Sequence, residues 1–550
     1  MNKKFIFALT FLASILFSDL AVAQKYWVKF KNKNGTPYTT SNPSAFLSAK
    51  AIARRVNMGI AIDQTDLPVT PSYVTQVDGV SGVTVLFRSK WLNGVVISVT
   101  NTVALTTINS FTFVQSSAPV NRYKIVMPAI DRTTINPHSE NQKTQSPSAF
   151  NYGQSAGQAS MIGADCMHNY GWRGQGVTIA VLDAGFKDVH IDNVFDSLRL
   201  QGRLKGTRDF VTGDTMVFED HTHGSMVLSC MAAIDPGNII GTAPKANYWL
   251  LRTEDVASET LSEEYNWIRG AEFADSLGAD MCTTSLGYTT FDGGLNNHTY
   301  AQLDGKTAPM SIASTMATRK GMLVLNAAGN EGGSAWNFIS VPADADSIIT
   351  VGAVDPTGVK AGFSSFGPTS DGRIKPDLCA QGGPAFVCNT GCFFGNGTSF
   401  ATPVLAGAVA CLLQYKPYAK PMQILGALKA SANNSISPNN NVGWGIPNMC
   451  TASSNTLLSV SSNEMNDLNN SITVYPNPVI DKLNIEFANK IESNINITIN
   501  NVLGQVVEKR ALTSANELVE FNDFSALKPG VYFLNIQVGN STMVKKIVKQ

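Results

Sequence analysis

Hydrolysis of a stable bond at neutral pH needs a weak nucleophile, a base to take its proton and an acid to orient that base. Histidine is the natural base, because its unperturbed pKa is about 6.5. Of the 6 histidines in the chain, His138 lies in a polar stretch, and His190 and His298 sit in loop-like segments without companions. The segment Asp220-His221-Thr222-His223-Gly224-Ser225-Met226-Val227-Leu228-Ser229 differs. There His223-Gly224 opens an apolar, small-residue run that reads as the start of a buried helix, able to hold the ring at a cleft. His221, without a following glycine, is a nearby decoy. The candidate acid is Asp183, directly after the apolar run Val177–Leu182 and before Ala184-Gly185, where the backbone can turn sharply. The candidate nucleophile is Ser399, within Gly395-Asn396-Gly397-Thr398-Ser399-Phe400-Ala401-Thr402-Pro403, which leads into an apolar helix. A helix N-terminus points free N–H groups at such a serine and favours a developing negative charge. Asn330, in Ala327-Ala328-Gly329-Asn330-Glu331-Gly332, offers an amide donor to the oxygen of a tetrahedral intermediate. Singly, each has a plainer reading: a turn aspartate, an N-cap serine, a turn-forming Asn-x-Gly.

Residues so far apart in sequence need a scaffold that gathers them. From 160 to 452, strand-like apolar runs recur at Val177–Leu182, Tyr248–Leu251, Met281–Ser285, Met322–Asn326 and Ile348–Val351. Helical patterns lie between them, such as Glu263–Leu277 and Ile312–Lys320. This alternation predicts an α/β fold, a parallel sheet covered by helices on both faces. Chemistry in such sheets gathers at the carboxyl ends of the strands, which is where Asp183 falls. Residues 24–115 read as a separate α+β unit in the order β-α-β-β-α-β, the ferredoxin-like arrangement. Its elements are a strand at Tyr26–Phe30, a helix from Pro43 to Gly59, strands at Val83–Phe87 and Val95–Val99, a helix at Val103–Ile108 and a strand at Phe111–Gln115. Residues 116–159 are polar and 453–470 are rich in Ser and Asn, both linker compositions. Over 471–550, short strands separated by turn residues predict a small β-sandwich.

A length of 550 residues calls for several domains, and 44% hydrophobic residues suffice for a large core. Lys+Arg and Asp+Glu both number 41, so no basic excess points to nucleic acid. At the N-terminus, Lys3 and Lys4, the apolar run Phe5–Phe17 and the small residues Ala21-Val22-Ala23 read as a signal peptide over 1–23. No later stretch reads as 18 apolar residues, so a soluble mature protein is expected. Export permits the 8 cysteines to oxidise; Cys388 and Cys392 are close enough to bond across a loop, and the others cannot be paired from sequence. Gly153-Gln154-Ser155-Ala156-Gly157 satisfies the Gly-x-Ser-x-Gly pattern of esterases, but no buried strand precedes it. Gly174-Gln175-Gly176 precedes its strand, which argues against a dinucleotide site.

Together, Asp183-Ala184-Gly185, His223-Gly224-Ser225, Ala327-Ala328-Gly329-Asn330 and Gly397-Thr398-Ser399-Phe400-Ala401-Thr402-Pro403 resemble the signature blocks of the subtilisin-like serine proteases. They come in that family's order, Asp then His then Ser. Gly241-Thr242-Ala243-Pro244, Thr284-Ser285-Leu286-Gly287, Val351-Gly352-Ala353-Val354 and Phe363-Ser364-Ser365-Phe366-Gly367-Pro368 match between them. The resemblance implies a secreted serine endopeptidase acting on polypeptides, with Ser399 as nucleophile, His223 as base, Asp183 orienting His223, and Asn330 holding the oxyanion with the Ser399 N–H. It also implies that Ser285, Leu286 and Gly287 pair with substrate backbone and that Ala327, Ala328 and Gly329 wall the main side-chain pocket. Small apolar walls suggest large uncharged side chains at the cleavage site. The alternative is a silent subtilisin-like adhesion module, against which stands the complete catalytic set.

Two positions depart from the family pattern: Met226 stands where a second His is usual, and Phe400 follows the serine where many relatives carry Met. No cofactor is expected and no metal ligands are assigned; relatives often carry structural calcium, but no dense Asp/Glu loop of ligand spacing stands out here. The unit over 24–115 resembles the family's inhibitory propeptide, with processing expected in 116–159. Thr473-Val474-Tyr475-Pro476-Asn477-Pro478, Asn501-Val502-Leu503-Gly504, Leu527-Lys528-Pro529-Gly530-Val531-Tyr532 and the Lys-rich end resemble the sorting domain of type-nine secretion cargo. Secretion machinery is thus the expected partner of 471–550, and the expected destination is the medium or the outer-membrane surface by way of the periplasm.

Overall fold

The computed structural model describes residues 24–120, 149–294, 296–458, 472–487, 494–501, 505–514, 518–521, 524–538 and 541–550. The expected signal peptide and most of both expected linkers lie outside the described residues.

In the N-terminal unit, β1 (Gln24–Phe30), α1 (Ala49–Met58), α2 (Pro71–Asp78), β2 (Val83–Ser89), β3 (Gly94–Val99), α3 (Val103–Ser110) and β4 (Val114–Pro119) follow in order. The antiparallel sheet runs β2-β3-β1-β4, the ferredoxin-like order. The helix expected from Pro43 starts later. Pro43–Ala45 is only a 3₁₀ turn, and Ser48 caps α1 by accepting the Ala51 N–H at 3.1 Å. Gly59, at φ 63°, ends it. The helix α2 is absent from the sequence reading: only Val74 and Val77 face inward, too few apolar positions to betray a helix. The last strand runs Val114–Pro119, into the expected linker.

The central sheet is parallel and seven-stranded. Its strands are β5 (Thr178–Asp183), β6 (Leu204–Asp209), β7 (Asn247–Arg252), β8 (Met281–Thr284), β9 (Leu323–Ala327), β10 (Ile349–Val354) and β11 (Leu378–Gln381). The order across it is β11-β10-β9-β8-β5-β7-β6. Alternate residues of β5 enter different cores: Ile179 and Val181 on one face, Ala180 and Leu182 on the other. Helices α4 (His223–Ala232), α5 (Leu261–Leu277), α6 (Pro309–Arg319) and α7 (Thr398–Tyr415) pack against these faces. Against the expectation of no further apolar stretch of such length, one stands among the described residues. The helix α7 carries no charge over 18 residues and is long and apolar enough to cross a membrane, yet 89% of it is buried inside the protein. Its stretch Val404–Leu413 is apolar on every side because it is surrounded by core.

A hairpin of β12 (Ala385–Cys388) and β13 (Cys392–Gly395), closed by the Cys388–Cys392 disulfide, leads into α7. A second disulfide joins Cys166 to Cys450, a pairing that only the fold brings together. At the C-terminal end, β14 (Ile472–Tyr475), β15 (Leu483–Phe487), β16 (Ile495–Asn501), β17 (Val506–Leu512), β18 (Leu518–Phe521), β19 (Gly530–Val538) and β20 (Ser541–Lys549) form two antiparallel sheets, β14-β15-β18 and β17-β16-β19-β20. Leu483, Ile485 and Phe487 of one sheet share a core with Ile495, Ile497 and Ile499 of the other.

Candidate active site

Asp183 closes β5 at the carboxyl edge of the sheet and is fully buried. Its Oδ1 accepts the Ala184 N–H at 2.8 Å and lies 2.8 Å from His223 Nδ1. His223 opens α4, and the glycine after it has a steric cause. A Cβ on Gly224 would collide with the Gly185 carbonyl oxygen and stand 2.9 Å from Asp183 Cβ. Only glycine lets α4 approach the aspartate this closely. The neighbour His221 is occupied otherwise, its Nδ1 accepting the His223 N–H at 3.2 Å. Burial disfavours the charged His223 ring, but the charge and hydrogen bond of Asp183 outweigh it, so the pKa is raised above its ordinary value. That of His221 is lowered, first by burial and then by His223.

Ser399 lies in the first turn of α7. Its Oγ donates to the Ser285 carbonyl at 3.1 Å, while Ser285 Oγ donates to the Ser399 carbonyl at 2.8 Å. The Phe400 ring centre lies 6.2 Å from that of His223, so serine and histidine segments are neighbours. The serine hydroxyl is turned toward Ser285, a looser arrangement common before substrate engages.

Asn330 follows β9 and is exposed. Its Oδ1 accepts the Thr398 N–H at 2.9 Å and lies 3.0 Å from Thr398 Oγ1. The backbone donor makes the amide orientation unambiguous: oxygen toward Thr398, and the NH₂ left as the outward donor. Thr398, which sequence reasoning did not single out, therefore aims Asn330.

Ser285, Leu286 and Gly287 leave β8 as Ala327, Ala328 and Gly329 end and leave the adjacent β9. Asn326 Nδ2 ties the two by donating to the Leu286 carbonyl at 3.2 Å. Between the glycines stands Ser340, missed in the sequence because nothing local marks it. A Cβ on Gly287 would collide with its Oγ, and one on Gly329 would lie 3.2 Å from it. This hydroxyl is buried and has no hydrogen-bond partner among the described residues. Ala327 and Ala328 themselves are buried.

The esterase-like Ser155 is committed elsewhere: its Oγ donates to the Tyr152 carbonyl at 2.8 Å and accepts the Ile240 N–H at 3.0 Å. Among the described residues, no group of three or more His, Cys, Asp or Glu side chains could hold a metal ion.

A parallel sheet that presents Asp183, His223 and Ser399 along one edge is the architecture of a subtilisin-like serine peptidase. The chain belongs to the subtilase family: residues 174–445 match the model of that family. It is 32% identical over 291 residues to subtilisin NAT of Bacillus subtilis subsp. natto, covering 52% of this chain and 68% of the relative. It is equally 32% identical over 279 residues to subtilisin of Bacillus pumilus, covering 50% of this chain and 90% of the relative. In fold it is similar to fervidolysin from Fervidobacterium pennivorans, a keratinolytic enzyme related to subtilisin (TM-score 0.56, 17% identity, 95% of this chain and 71% of that one). Residues 25–140 match the peptidase S8 propeptide domain of Bacteroidota, and residues 473–550 match the secretion system C-terminal sorting domain. The sorting domain points to a secreted or cell-surface protein.

Proposed function

We propose that this peptidase cleaves polypeptides internally through a triad of Asp183, His223 and Ser399. The observation that carries the reading is the 2.8 Å contact between Asp183 Oδ1 and His223 Nδ1, made at the sheet edge that also bears Ser399. In this reading His223 takes the Ser399 proton as Oγ attacks the scissile carbonyl, then returns it to the leaving amine. Asp183 holds the ring in the tautomer that exposes Nε2 and stabilises its charged form. The Asn330 NH₂ and the Ser399 N–H receive the oxyanion. The substrate backbone lies along Ser285, Leu286 and Gly287 as an added strand, and its side chain enters between that segment and Ala327-Ala328-Gly329. At the base, the unpartnered Ser340 hydroxyl favours a large uncharged side chain whose far end can hydrogen-bond. A cleavage profile dominated by Lys or Arg would end that preference.

The N-terminal domain acts as an intramolecular inhibitor until cut away within 116–159, and residues 471–550 engage the secretion machinery after passage through the periplasm. No cofactor takes part in these steps, and calcium, if bound, has a structural role. A serine-reactive fluorophosphonate tests the enzyme reading directly. Wild type should be labelled and hydrolyse casein, and Ser399→Ala should do neither. An unlabelled, inactive wild type would leave a binding module in its place. Truncation before 471 should leave the protein in the periplasm; normal export of the truncated chain would refute the sorting role.

A further inference from the structure

A single backbone oxygen joins the segments that carry Asp183, His223 and Ser399. It belongs to Lys187, on the loop that leaves β5 just after Asp183. It accepts the Ser225 hydroxyl at 2.7 Å, from the first turn of α4 that also carries His223. It accepts Asn389 Nδ2 at 2.8 Å, from the tip of the β12–β13 hairpin whose second strand runs into the Ser399 segment. A carbonyl oxygen has lone pairs for two donors, and here each donor comes from a different part of the chain. Further bonds fasten the same hairpin. The Cys388 N–H donates to Ser229 Oγ of α4 at 2.9 Å, and the Thr390 N–H donates to Asp192 Oδ2 at 2.8 Å. The Cys388–Cys392 disulfide closes the hairpin immediately behind Asn389.

We propose that this junction, Lys187 O with Ser225, Asn389 and the Cys388–Cys392 bridge, is a positioning device for catalysis. None of its members belongs to the triad, the oxyanion donors or the segments proposed to meet substrate. It keeps the histidine helix, the aspartate loop and the approach to the nucleophile in one register, where a misplacement of about 1 Å costs on the order of 10²-fold in rate. The tip supplies a side-chain amide because a donor is needed there, and the disulfide keeps that amide from swinging away. The proposal rests on the triad reading above.

The test uses the mature enzyme with Asn389→Ala, Asn389→Asp and the double variant Cys388→Ser/Cys392→Ser. Each is assayed on a chromogenic peptide across pH, with thermal unfolding to confirm that it is folded at the assay temperature. The expected result is a fall in kcat of roughly 3–30-fold with KM nearly unchanged. The acid limb of kcat/KM should also move to lower pH, because a looser contact with Asp183 lets the His223 pKa fall back. Asn389→Asp should behave like Asn389→Ala, since a carboxylate cannot donate to the Lys187 oxygen. Folded variants with the parent's kcat and acid limb would overturn the junction, as would a change confined to KM. Ser399→Ala separates the two readings. If it retains hydrolysis, the triad itself fails; if it is dead while the junction variants match the parent, only the junction fails.

Discussion

His223 is where opposing effects meet: burial disfavours its charged form, and Asp183 more than compensates. The ring must be neutral to take a proton, so kcat/KM should fall as pH drops through this raised pKa, a limb lying above the ordinary value of about 6.5. For stability the sign is reversed. The Asp183–His223⁺ pair contributes fully below the ordinary pKa and is lost as pH rises through the folded one. Asp183→Asn should remove most of the upward shift and lower kcat by about 10⁴-fold, seen in the pH profile of hydrolysis. Asn330→Leu should cost about 10²–10³ in kcat, the loss known for such donors in subtilisins, with little change in KM. Beside the nucleophile, the buried Phe400 stands where many relatives carry an oxidisable Met. Activity should therefore survive peroxide better than in Met-bearing relatives, and equally fast inactivation would contradict this.

Among the elements, the buried strands were readable because their Val, Ile and Leu runs are covered on both faces. The two outermost strands were not. One, β6, Leu-Lys-Gly-Thr-Arg-Asp, is half covered and carries polar residues that no periodicity distinguishes from a loop. The other, β11, Leu-Cys-Ala-Gln, is buried but only 4 residues long and holds a single large aliphatic. The helix α5 was legible from its apolar pattern, but that pattern starts it two residues late, at Glu263; the helix begins at Leu261, where the Glu263 carboxylate accepts the Thr260 N–H at 2.8 Å. Its surroundings were not legible. Glu254, Glu259 and Glu263 lie together beside Tyr288, whose hydroxyl donates to Glu254. Burial, then Asp292, pushes the Glu259 carboxyl up to about 7, and burial with Glu259 raises Glu254. Carboxyls raised in the native state hold protons that the unfolded chain releases, so stability should decline as pH climbs from the ordinary carboxylate range through about 7. Urea unfolding at pH 5 and 8 checks this, and Glu259→Gln should lessen the difference without abolishing it, because Glu254 and Glu263 are raised as well.

At the scale of the molecule, the propeptide domain is locked onto α5 by charge as well as by apolar contact. Asp275 of α5 is fully buried and accepts Arg54, Arg55 at 2.9 Å and Lys90 at 3.3 Å, while Arg55 also pairs with Asp66 at 2.7 Å. Trp27 stacks on Tyr265 with ring centres 4.9 Å apart. Burial alone would raise the Asp275 carboxyl, but Lys90, Arg54 and Arg55 bring it down to about 2. Its contribution is therefore present above the ordinary carboxylate range and lost as pH falls through about 2. In the uncut Ser399→Ala chain, Asp275→Ala should destabilise the docked state by about 3–5 kcal/mol, because it strands buried cations without a partner. A thermal transition unchanged by Asp275→Ala would contradict that. The sequence by itself determined the order of units, the parallel α/β core and the four residues proposed for catalysis, since those rest on local composition and on short motifs. Tertiary structure alone decided what holds them: Thr398 aiming Asn330, Ser340 between two glycines, Lys187 joining the segments around the triad, and Asp275 gripping the propeptide. Each of these depends on a polar group, on a side chain or on the backbone, whose neighbours come from other segments and are set only once the chain has folded.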